Sequence, residues 1–397
     1  MTAASSRSVL VSRRESGQKH VLLVSVLYPP SRGGVEAAAG EFARILPMLG
    51  FRVTVATTTP QSEPADVLDV HVFPREGFSA SVAALARTIR VDLVLVNGLF
   101  LLGDMGLPFD AVAAAGIPVV YRAHGFNTAF RFHWRHPPFF GIPSFFRSFW
   151  TAFKNDLKFS KLSQSVFLDN ATGFLRNFDI LLAKRFHPRN VSFIPNAFAS
   201  LFNPEPNGFR VRFGLDPIRP LFLCVANYSE LKGQEFAVDI IRRNPALHAT
   251  FVFVGSKANE VFEKAKRRAG DDSRIKLLVD IPRAIVKEAV NACDVAFLFS
   301  TNEQQPLFLS EAMSCGKPWF CTNVGSVSKM KGGIVLRRRN ERCFVNAVKK
   351  LLASDSRRAL GEEGKAFWES NYSPSVVYAR WKRLLDDAIA GQAKNGY

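Results

Sequence analysis

The feature that most constrains this fold is an alternation that begins at residue 20. Short runs of Val, Leu and Phe take turns with longer segments whose apolar residues recur at helical spacing. Residues 20–28 (HVLLVSVLY) are too uniformly apolar to have a wet face, which suits a strand covered on both sides. A Pro-Pro-Ser-Arg-Gly-Gly loop follows at 29–34, and a helical pattern at 36–49. Further strands are predicted at 51–59, 68–73, 91–97, 117–121, 164–168 and 191–195. Pro195, Pro204, Pro206, Gly208, Pro217 and Pro220 then mark a linker, after which the alternation resumes. Strands are expected at 221–226, 250–255, 275–280, 295–300 and 319–322, with helices at 232–243, 259–268, 283–293 and 306–315 between them. Two more helices are expected near 341–353 and 356–370, and an amphipathic one at 375–390.

Strand–helix alternation means parallel crossover units and doubly wound α/β sheets. The chain therefore reads as a flexible tail (1–19), two Rossmann-like domains (20–200 and 201–372) and a closing helix with its tail (373–397). At 397 residues, the length fits two to three domains of roughly 150 residues each. Open parallel sheets bind ligands beyond the carboxyl ends of their strands, so the cleft between two such domains is the expected site.

Composition narrows the partners. Lys and Arg total 52 against 34 Asp and Glu, a net charge of +18, which implies something anionic. No zinc, helix-turn-helix or RNA-binding signature accompanies that charge, so nucleic acid is not expected. No apolar run approaches the roughly 18 residues of a membrane span. Five cysteines without a C-x-x-C pair suit reduced, mostly buried thiols in a cytoplasmic protein, and residues 1–19 lack the apolar core of a secretory signal.

Candidate chemistry lies just beyond the strand ends. Gly33 and Gly34 follow the first strand and precede a helix, a place that serves either a tight turn or close backbone approach to a phosphate. They lack the G-x-G-x-x-G spacing of a dinucleotide site. Lys232 opens a helix before Gly233 and is either a solvated lysine or a point charge for a diphosphate. Glu303 follows a strand, and Glu311 lies on the next helix with seven residues between them. Carboxylates in so apolar a segment need hydrogen-bonding partners, either sugar hydroxyls or a neighbouring basic side chain. His124 ends PVVYRAHG at a carboxyl strand end, as a structural histidine or a cleft residue.

At these residues the chain resembles the retaining, nucleotide-sugar-dependent glycosyltransferases of the GT-B fold, family 4. The resemblance runs from about residue 20 to 390, on motifs in the family's order. They are YPPSRGGVE, RAHG at 122–125, FIPNAFASLFNP at 193–204, ELKGQ at 230–234, FVFVGS at 251–256, the Glu303–Glu311 pair with SEAMSCGKP, and NVGS at 323–326. The resemblance implies two Rossmann-like domains facing a central cleft, with the last helix crossing back to the first domain. It implies a sugar nucleotide as donor, held by the second domain, and a glycan or lipid-linked acceptor on the first. Lys232 would bind the diphosphate, Glu311 the ribose hydroxyls and Glu303 the transferred sugar. Amides of Leu307 and Phe308 would face the phosphates, with Gly33 and Gly34 meeting them from the other domain. Asp280 and Ile281 would meet the nucleobase through their backbone, Asn227 and Gly255 would complete the donor site, and His124 would lie near the anomeric carbon. No essential metal is implied.

Three segments depart from the family pattern. Ala226 and Asn227 stand where Gly-Arg is usual, Pro306 where Gly is common, and Ala197 where Gly follows Pro-Asn. The missing arginine removes half of the usual cationic clamp. It keeps two other readings open: a non-catalytic sugar-nucleotide-binding protein, and a GT-B hydrolase or epimerase. Residues 121–161 hold 13 aromatic and 7 basic residues against one acidic one. That mixture suits either docking on an anionic membrane surface, which would make a cytoplasmic protein peripheral to the cytoplasmic leaflet, or rings that pack the domain core beside the cleft.

Overall fold

A computed structural model gives the architecture and describes residues 17–31, 34–61, 69–98, 112, 115–122, 164–167, 191–197, 200–203, 208–301, 303 and 305–391. They build two sheets. The first contains β1 (His20–Val24), β2 (Arg52–Thr57), β3 (Asp69–Val72), β4 (Leu93–Asn97), β5 (Val119–Arg122), β6 (Gln164–Phe167) and β7 (Val191–Phe193), in the order β3-β2-β1-β4-β5-β6-β7. Helices α1 (Gly34–Met48) and α2 (Phe78–Thr88) connect its strands. The second contains β8 (Leu221–Val225), β9 (Thr250–Gly255), β10 (Ile275–Val279), β11 (Val295–Leu298), β12 (Trp319–Thr322) and β13 (Gly333–Leu336), in the order β10-β9-β8-β11-β12-β13.

Its helices are α3 (Phe209–Arg212), α4 (Gln234–Arg243), α5 (Glu260–Ala269), α6 (Arg283–Ala292), α7 (Leu307–Ser314), α8 (Glu341–Leu352) and α9 (Ser354–Asn371). Helix α10 (Pro374–Ile389) closes the chain. Residues 17–122 fall in one compact unit together with 384–391, and 208–383 fall in another, so α10 starts in the second unit and ends in the first.

The doubly wound reading holds in both units. Strands β1, β4 and β5 are buried at every position, as uniformly apolar parallel strands should be. Strand order reverses between β1 and β4 in the first sheet, and between β8 and β11 in the second. These are the topological switch points beyond which α/β folds place their ligands.

The structure adds to and corrects the local reading. Strand β13 and the short helix α3 were not foreseen, because GIVL and FRVR are brief and flanked by Gly and Arg. Residues 325–329 wind into a 3₁₀ turn that overlaps the end of the NVGS motif. Lys232 does not open α4: the helix begins at Gln234, and Gly233 caps it in the left-handed region at φ 70°.

The second unit has an aromatic interior. Phe297 on β11 stacks on Phe320 of β12 with centroids 5.2 Å apart and planes 11° apart, and meets Phe253 and Phe344 edge-on. A share of the phenylalanine surplus is therefore ordinary core. The basic and aromatic stretch, apart from Tyr121 and Arg122, lies outside the described residues. Among the described residues no helix is long and apolar enough to cross a membrane.

The first unit buries a titratable group at the amino ends of its strands. His20 Nε2 lies 2.9 Å from Thr54 Oγ1, which donates to Asp69 Oδ2 at 3.1 Å. Thr54 has one hydrogen to give, so the ring donates at Nε2. Burial lowers the His20 pKa below its ordinary 6.5, and Arg52 adds in the same direction. The unfolded chain therefore takes up this proton first. The contribution to stability is complete above about pH 6.5 and declines as pH falls through that value toward the lower folded one. Thermal unfolding followed from pH 7.5 to 5.5 should shift to lower temperature, and His20→Gln should flatten that trend. An unchanged slope in the variant would assign the effect to other groups.

Candidate functional site

The carboxyl ends of β8 and β11 flank the switch point of the second sheet, and two charged side chains converge there. Lys232, in the turn between β8 and α4, donates from Nζ to Glu303 Oε1 at 2.6 Å. Ser300, just past β11, donates to the same oxygen at 2.7 Å. The loops are tied by their backbones as well, Thr301 N donating to Leu231 O at 2.7 Å. Glu303 is 10% and Lys232 27% exposed, so the pair is partly withdrawn from water and its hydrogen bonds are of the stronger, charge-assisted kind. An anion arriving here would compete with Glu303 for the ammonium group and leave the carboxylate ready to accept from hydroxyls.

Glu311 lies one turn from the end of α7 and is only 8% exposed. Burial pushes its carboxyl above the ordinary 4.5, and Arg283 opposes that shift. Arg283, the first residue of α6 and 62% exposed, reaches in to donate from Nη2 to Glu311 Oε1. The basic neighbour weighed for Glu311 is therefore present, on a side chain open enough to solvent to move.

The loop after β10 supplies a backbone feature. Asp280 has φ 51°, a left-handed conformation few residues other than glycine, asparagine and aspartate adopt, and its N–H donates to Gly255 O at 3.3 Å. Gly255 has a packing reason to be glycine. A Cβ there would lie 2.4 Å from the Tyr228 ring, whose hydroxyl shares its one hydrogen between Phe253 O at 3.1 Å and Leu278 O at 3.4 Å. Ile281 is half-buried, and the side chain of Asn227 is exposed. Leu307 and Phe308 open α7 behind Pro306, and the first amides of a helix have no intrahelical acceptor.

In the first unit, Gly34 opens α1 beside a buried polar group at the ends of β4 and β5. Arg122 Nη1 donates to Asn97 Oδ1 at 3.0 Å, and Asn97 Nδ2 donates to Val35 O at 3.2 Å. The Arg122 guanidinium also lies 4.4 Å from the centroid of Phe42, and burial lowers its pKa to about 9. Gly33 and His124 lie outside the described residues. Among the described residues no three His, Cys, Asp or Glu side chains gather as a metal cluster would.

Sequence reasoning missed Ser300, Arg283 and Gln305. Gln305 accepts at Oε1 from Asn196 N at 2.6 Å and donates from Nε2 to Asn196 O at 3.3 Å, clamping the Pro-Asn segment to the loop before α7. No local pattern marks these residues. The available signal was indirect: two separate motifs, each rich in polar side chains, that had to meet.

This is the GT-B architecture, two Rossmann-like units with a closing helix. Two solved structures share it across the chain: a glycosyltransferase from Rickettsia africae (TM-score 0.74, 13% identity, 94% of this chain and 99% of that one), and HepE of Anabaena solved with UDP-glucose (TM-score 0.71, 17% identity, 93% and 99%). Residues 219–354, within the second unit, match the family described as glycosyl transferases group 1. A trehalose synthase of Thermococcus litoralis is 26% identical over 194 residues. That match takes in 44% of this chain and spans 45% of the relative's length.

Proposed function

We propose that the chain is a retaining glycosyltransferase that moves a sugar from a nucleoside-diphosphate sugar to a glycan or lipid-linked hydroxyl. The observation that carries this is the Lys232–Glu303–Ser300 group at the switch point of the second sheet. In this reading Lys232 and the amides of Leu307 and Phe308 hold the diphosphate, as helix N-termini hold anions. Glu303 accepts from hydroxyls of the transferred sugar and Glu311 from those of the ribose. The turn at Asp280 and Ile281 meets the base through its backbone. Likeness to a protein solved with UDP-glucose supports the donor class. Gly33, Gly34 and His124 are assigned to the acceptor side and the diphosphate on the family resemblance.

The chemistry follows from charge. As the bond from the anomeric carbon to the leaving oxygen breaks, negative charge grows on the diphosphate, where Lys232 and the amides stabilise it. The acceptor oxygen forms its bond on the same face, and its proton passes to the departing diphosphate. These steps need no metal. The exposed Asn227 in place of arginine favours one rival, a sugar-nucleotide-binding protein without transfer activity. Donor binding with no transfer of labelled sugar to membrane or glycan extracts would select that rival.

Titration calorimetry with UDP-, GDP- and ADP-sugars tests the donor site. Glu311→Gln should weaken binding of whichever donor is taken by about ten- to a hundredfold, as expected for one or two hydrogen bonds to a charged group. Unchanged affinity with lowered thermal stability would make Glu311 only the partner of Arg283. Binding of none of the donors by the wild type would remove the transferase reading.

A further inference from the structure

Gly233 has no room for a side chain, for a reason that lies more than a hundred residues away. A Cβ there would sit 2.1 Å from Arg339 Nη2 and 2.6 Å from Phe299 O. Arg339 lies between β13 and α8, and its Nε donates to the same Phe299 carbonyl at 2.9 Å. The rings of Phe236 on α4 and Phe299 at the end of β11 stack with planes 8° apart and centroids 5.5 Å apart. The guanidinium carbon lies 5.5 Å from the first centroid and 5.4 Å from the second. Arg339 therefore touches the residue after Lys232, the residue before Ser300, and the first full turn of α4.

We infer that Arg339 is a positioning residue for the diphosphate site, bracing the Lys232–Gly233 turn against the end of β11 so that Lys232 meets the anion in a fixed place. The inference rests on the donor-site reading above. Three features support a brace over a bystander cation. The contact is shared among two rings, a carbonyl and a turn, all of which must be placed together. The glycine it requires is also one whose φ of 70° disfavours any side chain, so the turn is built around the arginine. The hydrogen bonds of the turn, among them Thr301 N to Leu231 O, fix its backbone, and arginine's planar group adds a stacked side-chain contact that an ammonium group cannot make. The family's usual arginine beside β8 is replaced by Asn227 here, and Arg339 brings a cation to the same turn from a different loop.

The test compares Arg339→Ala and Arg339→Lys in the full chain, by titration with UDP, GDP and ADP and with the corresponding monophosphates. Misplacing a binding group by a fraction of an ångström to an ångström is costly, so Arg339→Ala should lower affinity for the bound diphosphate about tenfold or more. Affinity for the monophosphate should change less than threefold. Arg339→Lys should recover little of the loss. Phe236→Leu, which removes one stacking ring and keeps all charges, should weaken diphosphate binding in the same direction and serves if Arg339→Ala does not fold. Equal losses for di- and monophosphate, unchanged diphosphate affinity, or full recovery with lysine would each overturn the inference. If the wild type binds no diphosphate, the donor-site reading fails instead, and the two failures are told apart by that control.

Discussion

Lys232→Ala should lower kcat/KM for sugar transfer by about 10²–10³-fold, in the range for deleting one preorganised group that stabilises developing charge. The loss should fall mainly on kcat, because the diphosphate bears more negative charge as it leaves than when it binds. Glu303 would then keep Ser300 as its donor but lose the ammonium group, in a place where it is only 10% exposed. Lys232→Arg keeps the charge on a bulkier group and should restore part of the rate. Steady-state kinetics with a labelled donor measures both. A kcat/KM within threefold of wild type for the alanine variant would exclude Lys232 from the reaction.

The largest expected effect on stability is from Phe297→Ala. Phe297 is fully buried on β11, stacked on Phe320 and edge-on to Phe251, Phe253 and Phe344 at 6.3, 5.5 and 5.9 Å. Truncating such a ring removes its burial and leaves a cavity, about 3–5 kcal/mol. In a unit of this size that lowers its unfolding temperature on the order of 10 °C. Calorimetry should show the unfolding transition that includes the second unit moving down by that amount. The same strand ends two residues before Ser300, so residual donor binding in this variant should be weaker at 37 °C than at 15 °C. A shift below about 2 °C would mean that the neighbouring rings close over the gap.

Much of the architecture was readable because buried parallel strands leave so distinct a trace. LVLVN and TFVFVG have no polar face to hide, and each became a fully buried strand. GIVL at β13 is four residues beginning with glycine, and carries no such trace. The error at Lys232 turns on the glycine that follows it. Gly233 breaks helix propensity within LKGQ and takes the left-handed region, and the close approach of Phe299 O and Arg339 leaves no room for a side chain there. The same distinction applies at the site. Glu303 and Glu311 were found from their spacing, a local property. Ser300, Arg283 and Gln305 matter through which side chain each meets, and only folding sets that.

The hydrogen-bonded chain from His20 through Thr54 to Asp69 gives the first unit a reporter of its own. It lies at the amino ends of β1, β2 and β3, the opposite edge of that sheet from Gly34 and Asn97. A ligand held at the carboxyl ends has no direct route to this imidazole. Its proton resonances should therefore titrate identically with and without donor, and change only when the first unit itself opens. Set beside calorimetry of the Phe297→Ala variant, this histidine gives a local signal of the first unit's integrity during a heating or binding experiment.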